Sequence, residues 1–182
     1  MQTQSISLSN TLLVLGAFLF LIGLLQGTII QVFHSPRLAL SAHIAAVQNG
    51  MVLLIFGLLW SRLRLSRKLA QVASISAIAG MYLIWIGFTL AATTGSSMVL
   101  KFAGAGYAAA QKWEWVVAAI IYAGSGASIV AAFLVLVGLV KKKQSLSEHL
   151  LEEQPQRMAQ VSVEEDLIQG EKQDSKRSGN KV

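Results

Sequence analysis

The chain has 182 residues, 54% of them hydrophobic and 13% charged, with a mean hydropathy of +0.57, whereas a water-soluble domain carries roughly 25% charged residues. Its formal charge of +6 belongs to the apolar body: residues 1–140 hold seven Lys or Arg and one acid, while residues 141–182 hold eight of each sign. The cations sit between apolar runs rather than clustered among aromatics, which argues against nucleic acid, and the absence of cysteine excludes disulfides, thiolate metal sites and a Cys nucleophile.

The first apolar run, 11–33, has no charge and only Gln26 and Gln31 as sizeable polar residues. The nine residues before it carry no Lys or Arg, and it is longer than the roughly 7–15 residues of a signal core. It is expected to stay as a helix. The second run, 38–60, contains His43, Gln48 and Asn49, and the connection 61–68 holds Arg62, Arg64, Arg67 and Lys68 with no acid. The third, 69–94, is uncharged and includes Tyr82, Trp85 and Phe88. The connection 95–112 is rich in Gly and Ala and carries Phe102 and Tyr107. A flexible loop is expected there, with a lid folded back over the bundle as the alternative. The fourth run, 113–140, has Glu114 at its edge and Tyr122 inside. Its Ala119, Ala123, Ala127 and Ala131 form a small face at i, i+4 spacing, which lets helices approach closely. Packing inside one bundle and contact between copies are both open for that face.

Each run is long enough to cross a hydrocarbon core of roughly 30 Å as a helix. The runs are continuous rather than alternating, and a helix satisfies lipid-buried backbone within one segment. Trp60, Trp113 and Trp115 fall at segment ends, where indoles suit the membrane interface. With Lys141, Lys142 and Lys143 after the fourth helix, seven cations flank one side against Arg37, Lys101 and Lys112 on the other. Positive charge marks the cytoplasmic side. The expected fold is therefore all-α: a four-helix transmembrane bundle over residues 1–143 in the cell inner membrane, with N- and C-termini cytoplasmic. The polar tail, 144–182, is expected to be largely disordered, with a short amphipathic helix over 147–159.

An ionisable group inside a membrane is costly and marks a functional site by default. His43 is the only imidazole within an expected transmembrane helix. A single His cannot hold zinc, and no acid is placed to orient it for Ser/His/Asp catalysis. Haem does accept one proximal imidazole, leaving its sixth position open for Lewis-acid chemistry; a plain bond to a backbone carbonyl is the other reading of His43. Asn49 lies six residues on, about 240° around the helix. The two do not share a face, so a site using both curves around the helix or spans a subunit contact.

The run Ser35-Pro36-Arg37-Leu38-Ala39-Leu40-Ser41-Ala42-His43, continuing to Asn49-Gly50, resembles the hydroxylaminobenzene mutase family. Arg62-Leu63-Arg64-Leu65-Ser66 and the Ala103-Gly104-Ala105-Gly106 loop are similar as well. Styrene oxide isomerases are more distant relatives with the same Ala-His and Asn-Gly pairs. The resemblance covers about residues 11–140 and implies an intramolecular rearrangement: an aryl hydroxylamine to an aminophenol, or an aryl epoxide to an aldehyde. It also implies a homo-oligomer, a trimer, with haem b at subunit contacts. His43 would be the proximal iron ligand and Asn49 an active-site residue, with a small aromatic substrate and the lipid bilayer as partners. Two positions depart from the pattern: Ile84 stands where the family tends to have Asn, and Phe88 falls where the isomerases have an active-site Tyr. Tyr82 is the catalytic candidate to replace the missing hydroxyl, with Tyr107 as the other. The alternatives to an isomerase are a haem-binding sensor or electron carrier, and a structural bundle in which His43 and Asn49 only pack.

Overall fold

The computed structural model describes residues 2–141, with side chains from Ser7 onward; the tail, including the helix expected over 147–159, lies outside the described residues. Four helices account for the architecture: α1 (Gln2–Thr28), α2 (Pro36–Leu59), α3 (Arg67–Thr94) and α4 (Gln111–Lys141). All four are long and apolar enough to cross a membrane, with mean hydropathies from 1.8 to 2.3. Only 22–33% of each helix's 18-residue apolar window is buried within the protomer. Most of the lateral surface therefore faces lipid or another copy.

Local chemistry sets the helix ends. The apolar run to residue 33 does not continue as one helix: α1 stops at Thr28, and a 3-10 turn, Ile30–Val32, leads to α2. Pro36 opens α2 at its first turn, where its missing N–H and fixed φ are no handicap. Ser66 caps α3 by accepting from the Leu69 N–H. Gly95 ends α3 in the left-handed conformation at φ 77°, the ordinary C-terminal use of glycine.

Close approach of backbones holds the bundle. At the α1–α2 crossing a Cβ on Gly50 would lie 2.6 Å from the Phe20 N. At the α3–α4 crossing a Cβ on Gly80 would lie 2.7 Å from the Ser128 N. Two apolar clusters fill the space between helices. One joins Leu12, Leu19, Leu53, Trp60, Met81 and Ala131 near the 2–3 connection; the other joins Leu38, Ala91, Ala92, Val117 and Ile121 near the 1–2 and 3–4 connections. Trp60 is 3% exposed, whereas Trp115 is 63% exposed. The 3-10 turn Trp60–Arg62 turns that indole into the core, so only Trp113 and Trp115 have the exposure expected of an interfacial belt. The small face of α4 splits: Ala131 is buried, while Ala119 and Ala123 are exposed.

Candidate functional site

Helix α2 carries His43 and Asn49 on opposite flanks. His43 is turned to α1, with its Nδ1 2.7 Å from the Gly23 carbonyl oxygen. A carbonyl only accepts, so Nδ1 carries a proton, and in the neutral ring Nε2 holds the lone pair. Nε2 has no hydrogen-bond partner among the described residues, and it is not one of the sealed, unpartnered atoms. The ring lies against Gly27, where a Cβ would come within 2.8 Å of its Cε1 and Nδ1. Any larger residue at 27 would displace the imidazole. Next to it, α1 and the start of α2 form an open groove of about 350 Å3, with Gly27, Ile30 and Leu40 as apolar lining and Thr28, Gln31 and Arg37 as polar lining.

Asn49 is turned to α3. Its Nδ2 donates to the Met81 carbonyl oxygen at 3.0 Å, and because that partner is an acceptor the amide orientation is fixed. Its Oδ1 has no partner among the described residues. Six residues of helix separate Asn49 from His43 by about 9 Å along the axis. Within one protomer the structure does not bring them together. It does bring Asn49 beside the residue preceding Tyr82. The Tyr82 hydroxyl donates to the Leu15 carbonyl oxygen at 2.9 Å, and its ring stands edge-on to Trp85 at 6.3 Å. Phe88 packs against the second apolar cluster instead.

One member of this region was missed in the sequence. Gln26 is 5% exposed; its Oε1 accepts from Trp85 Nε1 at 2.8 Å and its Nε2 donates to Thr89 Oγ1 at 3.2 Å. A carboxamide in an apolar run demands partners, and that signal was present. Its partners stand 59 and 63 residues away, and nothing local names them. With Tyr82, these bonds tie α1 to α3.

The 3–4 connection is fastened rather than free, contrary to the flexible loop expected. The Glu114 carboxylate accepts from the N–H groups of Met98 at 2.9 Å, Ser97 at 3.1 Å and Ala109 at 3.4 Å. Arg37 Nη2 donates to the Ala105 carbonyl oxygen, its guanidinium lies 5.9 Å from the Tyr107 ring centroid, and Tyr107 stands edge-on to His34 at 5.6 Å. Gly and Ala content suggested mobility; three amides converging on one carboxylate override it.

A family model described as styrene oxide isomerase matches residues 8–140. The chain belongs to the styrene oxide isomerase family. Hydroxylaminobenzene mutase HabB of Ectopseudomonas oleovorans is 35% identical over 133 residues, covering 72% of this chain and 81% of that protein. Hydroxylaminobenzene mutase HabA of the same organism is 32% identical over 127 residues, covering 69% and 94%. No solved structure matches the chain. The likeness to hydroxylaminobenzene mutases read over about residues 11–140 is thus matched by relatives aligned over about 70% of the chain, and this member of the family is an isomerase-type multi-pass membrane protein. In it the Asn-Gly pair has a plain structural meaning. Gly50 admits α1 at the crossing, and the neighbouring Asn49 bonds α3.

Proposed function

We propose that this isomerase rearranges an aryl hydroxylamine to an aminophenol, with haem b held by His43 in a homo-oligomer, a trimer. The observation that carries the reading is the half-used imidazole. His43 gives Nδ1–H to Gly23, which fixes the tautomer and ring orientation as partners of ligating histidines commonly do. Its Nε2 has no partner among the described residues, and such a donor suits a proximal ligand of haem. When bound, haem supplies a Lewis acid for the substrate's oxygen.

The chain's own residues favour the hydroxylamine over the epoxide. Asn49 has one of its two amide hydrogens committed to Met81 and its Oδ1 without a partner among the described residues. Tyr82 has its hydroxyl hydrogen committed to Leu15. Both therefore offer acceptors to a substrate. An aryl hydroxylamine brings N–H and O–H donors, and an aryl epoxide brings none. With Ile84 and Phe88 adding no polar group, Asn49 steers the substrate nitrogen and Tyr82 flanks it, while the aromatic ring is left to apolar surface. The rearrangement balances without an external oxidant: the N–O bond is replaced by an aryl C–O bond, and the proton lost from the ring carbon is matched by one gained at nitrogen. The roughly 120° between His43 and Asn49 on α2, with one turned to α1 and the other to α3, is the reason to assign them to different copies around one site. The excess of flanking cations beside the 2–3 connection supports cytoplasmic termini in the inner membrane. A periplasm-active reporter fused after Val182 is expected to be silent.

The test is turnover of phenylhydroxylamine and of styrene oxide by purified protein, with haem content read in parallel. Asn49→Ala is expected to keep the Soret band and lose about a hundred- to a thousand-fold in turnover, the roughly 2.7–4 kcal/mol of one well-placed polar contact. Ferric haem bound but neither substrate converted would move a sensor or electron carrier ahead.

A further inference from the structure

We propose that the groove between the end of α1 and the start of α2 seats an anionic phospholipid, with its phosphate on Arg37 and Gln31 and one acyl chain on Leu40 and Ile44. This site is independent of haem and of the rearrangement. Its walls come from the last turn of α1, the 3-10 turn Ile30–Val32 and the first turns of α2, so it sits at the end of two membrane spans. Along α2, Leu40 and Ile44 follow Arg37 at i+3 and i+7, within about 60° of it around the helix, and Ile44 lies about 10 Å further along the axis. All three are exposed, Leu40 at 46% and Ile44 at 45%. His43, at i+6, is about 120° away and turned to α1, so it is no part of this flank. One strip of α2 thus carries a cation at the membrane's edge and apolar side chains below it, the order of charge and hydrocarbon in a phospholipid.

The polar end suits an anion that only accepts hydrogen bonds. Thr28 has given its hydroxyl hydrogen to the Leu25 carbonyl oxygen at 2.8 Å. Gln31 is exposed and makes no side-chain hydrogen bond among the described residues. Arg37 gives one of its five N–H donors to the Ala105 carbonyl oxygen, with the Tyr107 ring 5.9 Å from its guanidinium. No carboxylate among the described residues pairs with it: Glu114, the only acid in residues 1–140, is taken up by three backbone amides. A cation without a counter-charge beside apolar surface is complementary to an anionic amphiphile, and a guanidinium fork can hold two oxygens of one phosphate. Lys112, by contrast, lies 5.7 Å from the Trp113 ring and is not part of the groove's lining.

The test is lipid binding by full-length protein washed free of lipid in detergent, read by native mass spectrometry and by the rise in melting temperature. The probes are phosphatidylglycerol, phosphatidylcholine with the same chains, and glycerol phosphate, which carries the phosphate without chains. Wild type is expected to bind phosphatidylglycerol at least about 5-fold more tightly than phosphatidylcholine, the scale of one cation at an anionic lipid surface, and not to bind glycerol phosphate. Arg37→Gln is expected to bind both lipids alike, and Arg37→Lys to recover part of the preference. Leu40→Asn is expected to weaken both lipids, and Lys112→Gln to keep the full preference. Equal binding of the two lipids by wild type would overturn the assignment, as would undiminished preference in Arg37→Gln. A preference lost as fully in Lys112→Gln would mean diffuse surface charge rather than this groove. Glycerol phosphate bound as tightly as the lipid would make this a site for a soluble phosphate, and the proposal falls. If Arg37→Gln does not fold, Leu40→Asn decides: phosphatidylglycerol binding undiminished in that variant overturns the assignment.

Discussion

The α1–α2 seam and the α3–α4 seam are built by the same device and end differently. Both rely on glycine to bring backbones together, Gly16 and Gly50 in the first, Gly80 and Gly124 in the second. This is expected where lipid tails remove any hydrophobic drive between helices and close packing must serve instead. In the α3–α4 seam the polar group is Ser128, whose hydroxyl donates to the Gly124 carbonyl oxygen of its own helix at 2.9 Å. Its one hydrogen is thereby spent within its own helix. In the α1–α2 seam the Ser9 hydroxyl donates across to the Gly57 carbonyl oxygen at 2.8 Å, and His43 bonds across to Gly23 and keeps a second nitrogen without a partner among the described residues. Small residues therefore mark where helices touch, and a half-satisfied polar side chain is what sets the α1–α2 seam apart.

The largest test of this contrast removes the shared device. Gly50→Val and Gly80→Val each force side-chain atoms into a neighbouring backbone. Each is expected to cost about 3 kcal/mol, read as loss of a monodisperse, cooperatively melting species in detergent. Gly126→Val, at a position with no atom within 4 Å, is expected to leave the protomer's melting unchanged. Wild-type melting of Gly50→Val would contradict the crossing itself. The next test separates the seams: His43→Ala is expected to abolish haem binding in a folded protein, while His34→Ala and Ser128→Ala leave the Soret band intact. A smaller effect is expected where α1 meets α3. Gln26→Leu orphans the Trp85 N–H and should cost about 1–3 kcal/mol, with a shift in tryptophan emission as a second readout. Smallest is Ser128→Ala, expected to cost roughly 0.5–1.5 kcal/mol in melting, because its hydroxyl bond is local to one turn.

The four spans were legible because the bilayer demands continuous apolar helices, and His43 because an imidazole in such a run has no bland company. The flank each residue would face was half legible. The six-residue spacing already separated His43 from Asn49, but only the fold shows that one flank meets α1 and the other α3. Gln26 resisted because a carboxamide announces a need for partners without naming them. Trp60 misled for a related reason: position at a run's end suggests an interface, while the 3-10 turn that follows decides the direction of the ring. The 3–4 connection was misjudged because Gly and Ala content describes what a backbone is free to do, and Glu114, read as the edge of a helix, gave no hint of the amides it gathers.

Glu114 has a consequence for how the bundle opens at its 3–4 connection. One carboxylate holds the amides of Ser97, Met98 and Ala109, which come from both ends of the connection. Protons tied to a single acceptor side chain are released together when it lets go. In hydrogen–deuterium exchange these three amides are therefore expected to behave as one small cooperative unit with a shared opening rate. Glu114→Gln, which keeps an acceptor oxygen but no charge, should hasten all three in step while the amides at the Gly80 crossing keep their pace.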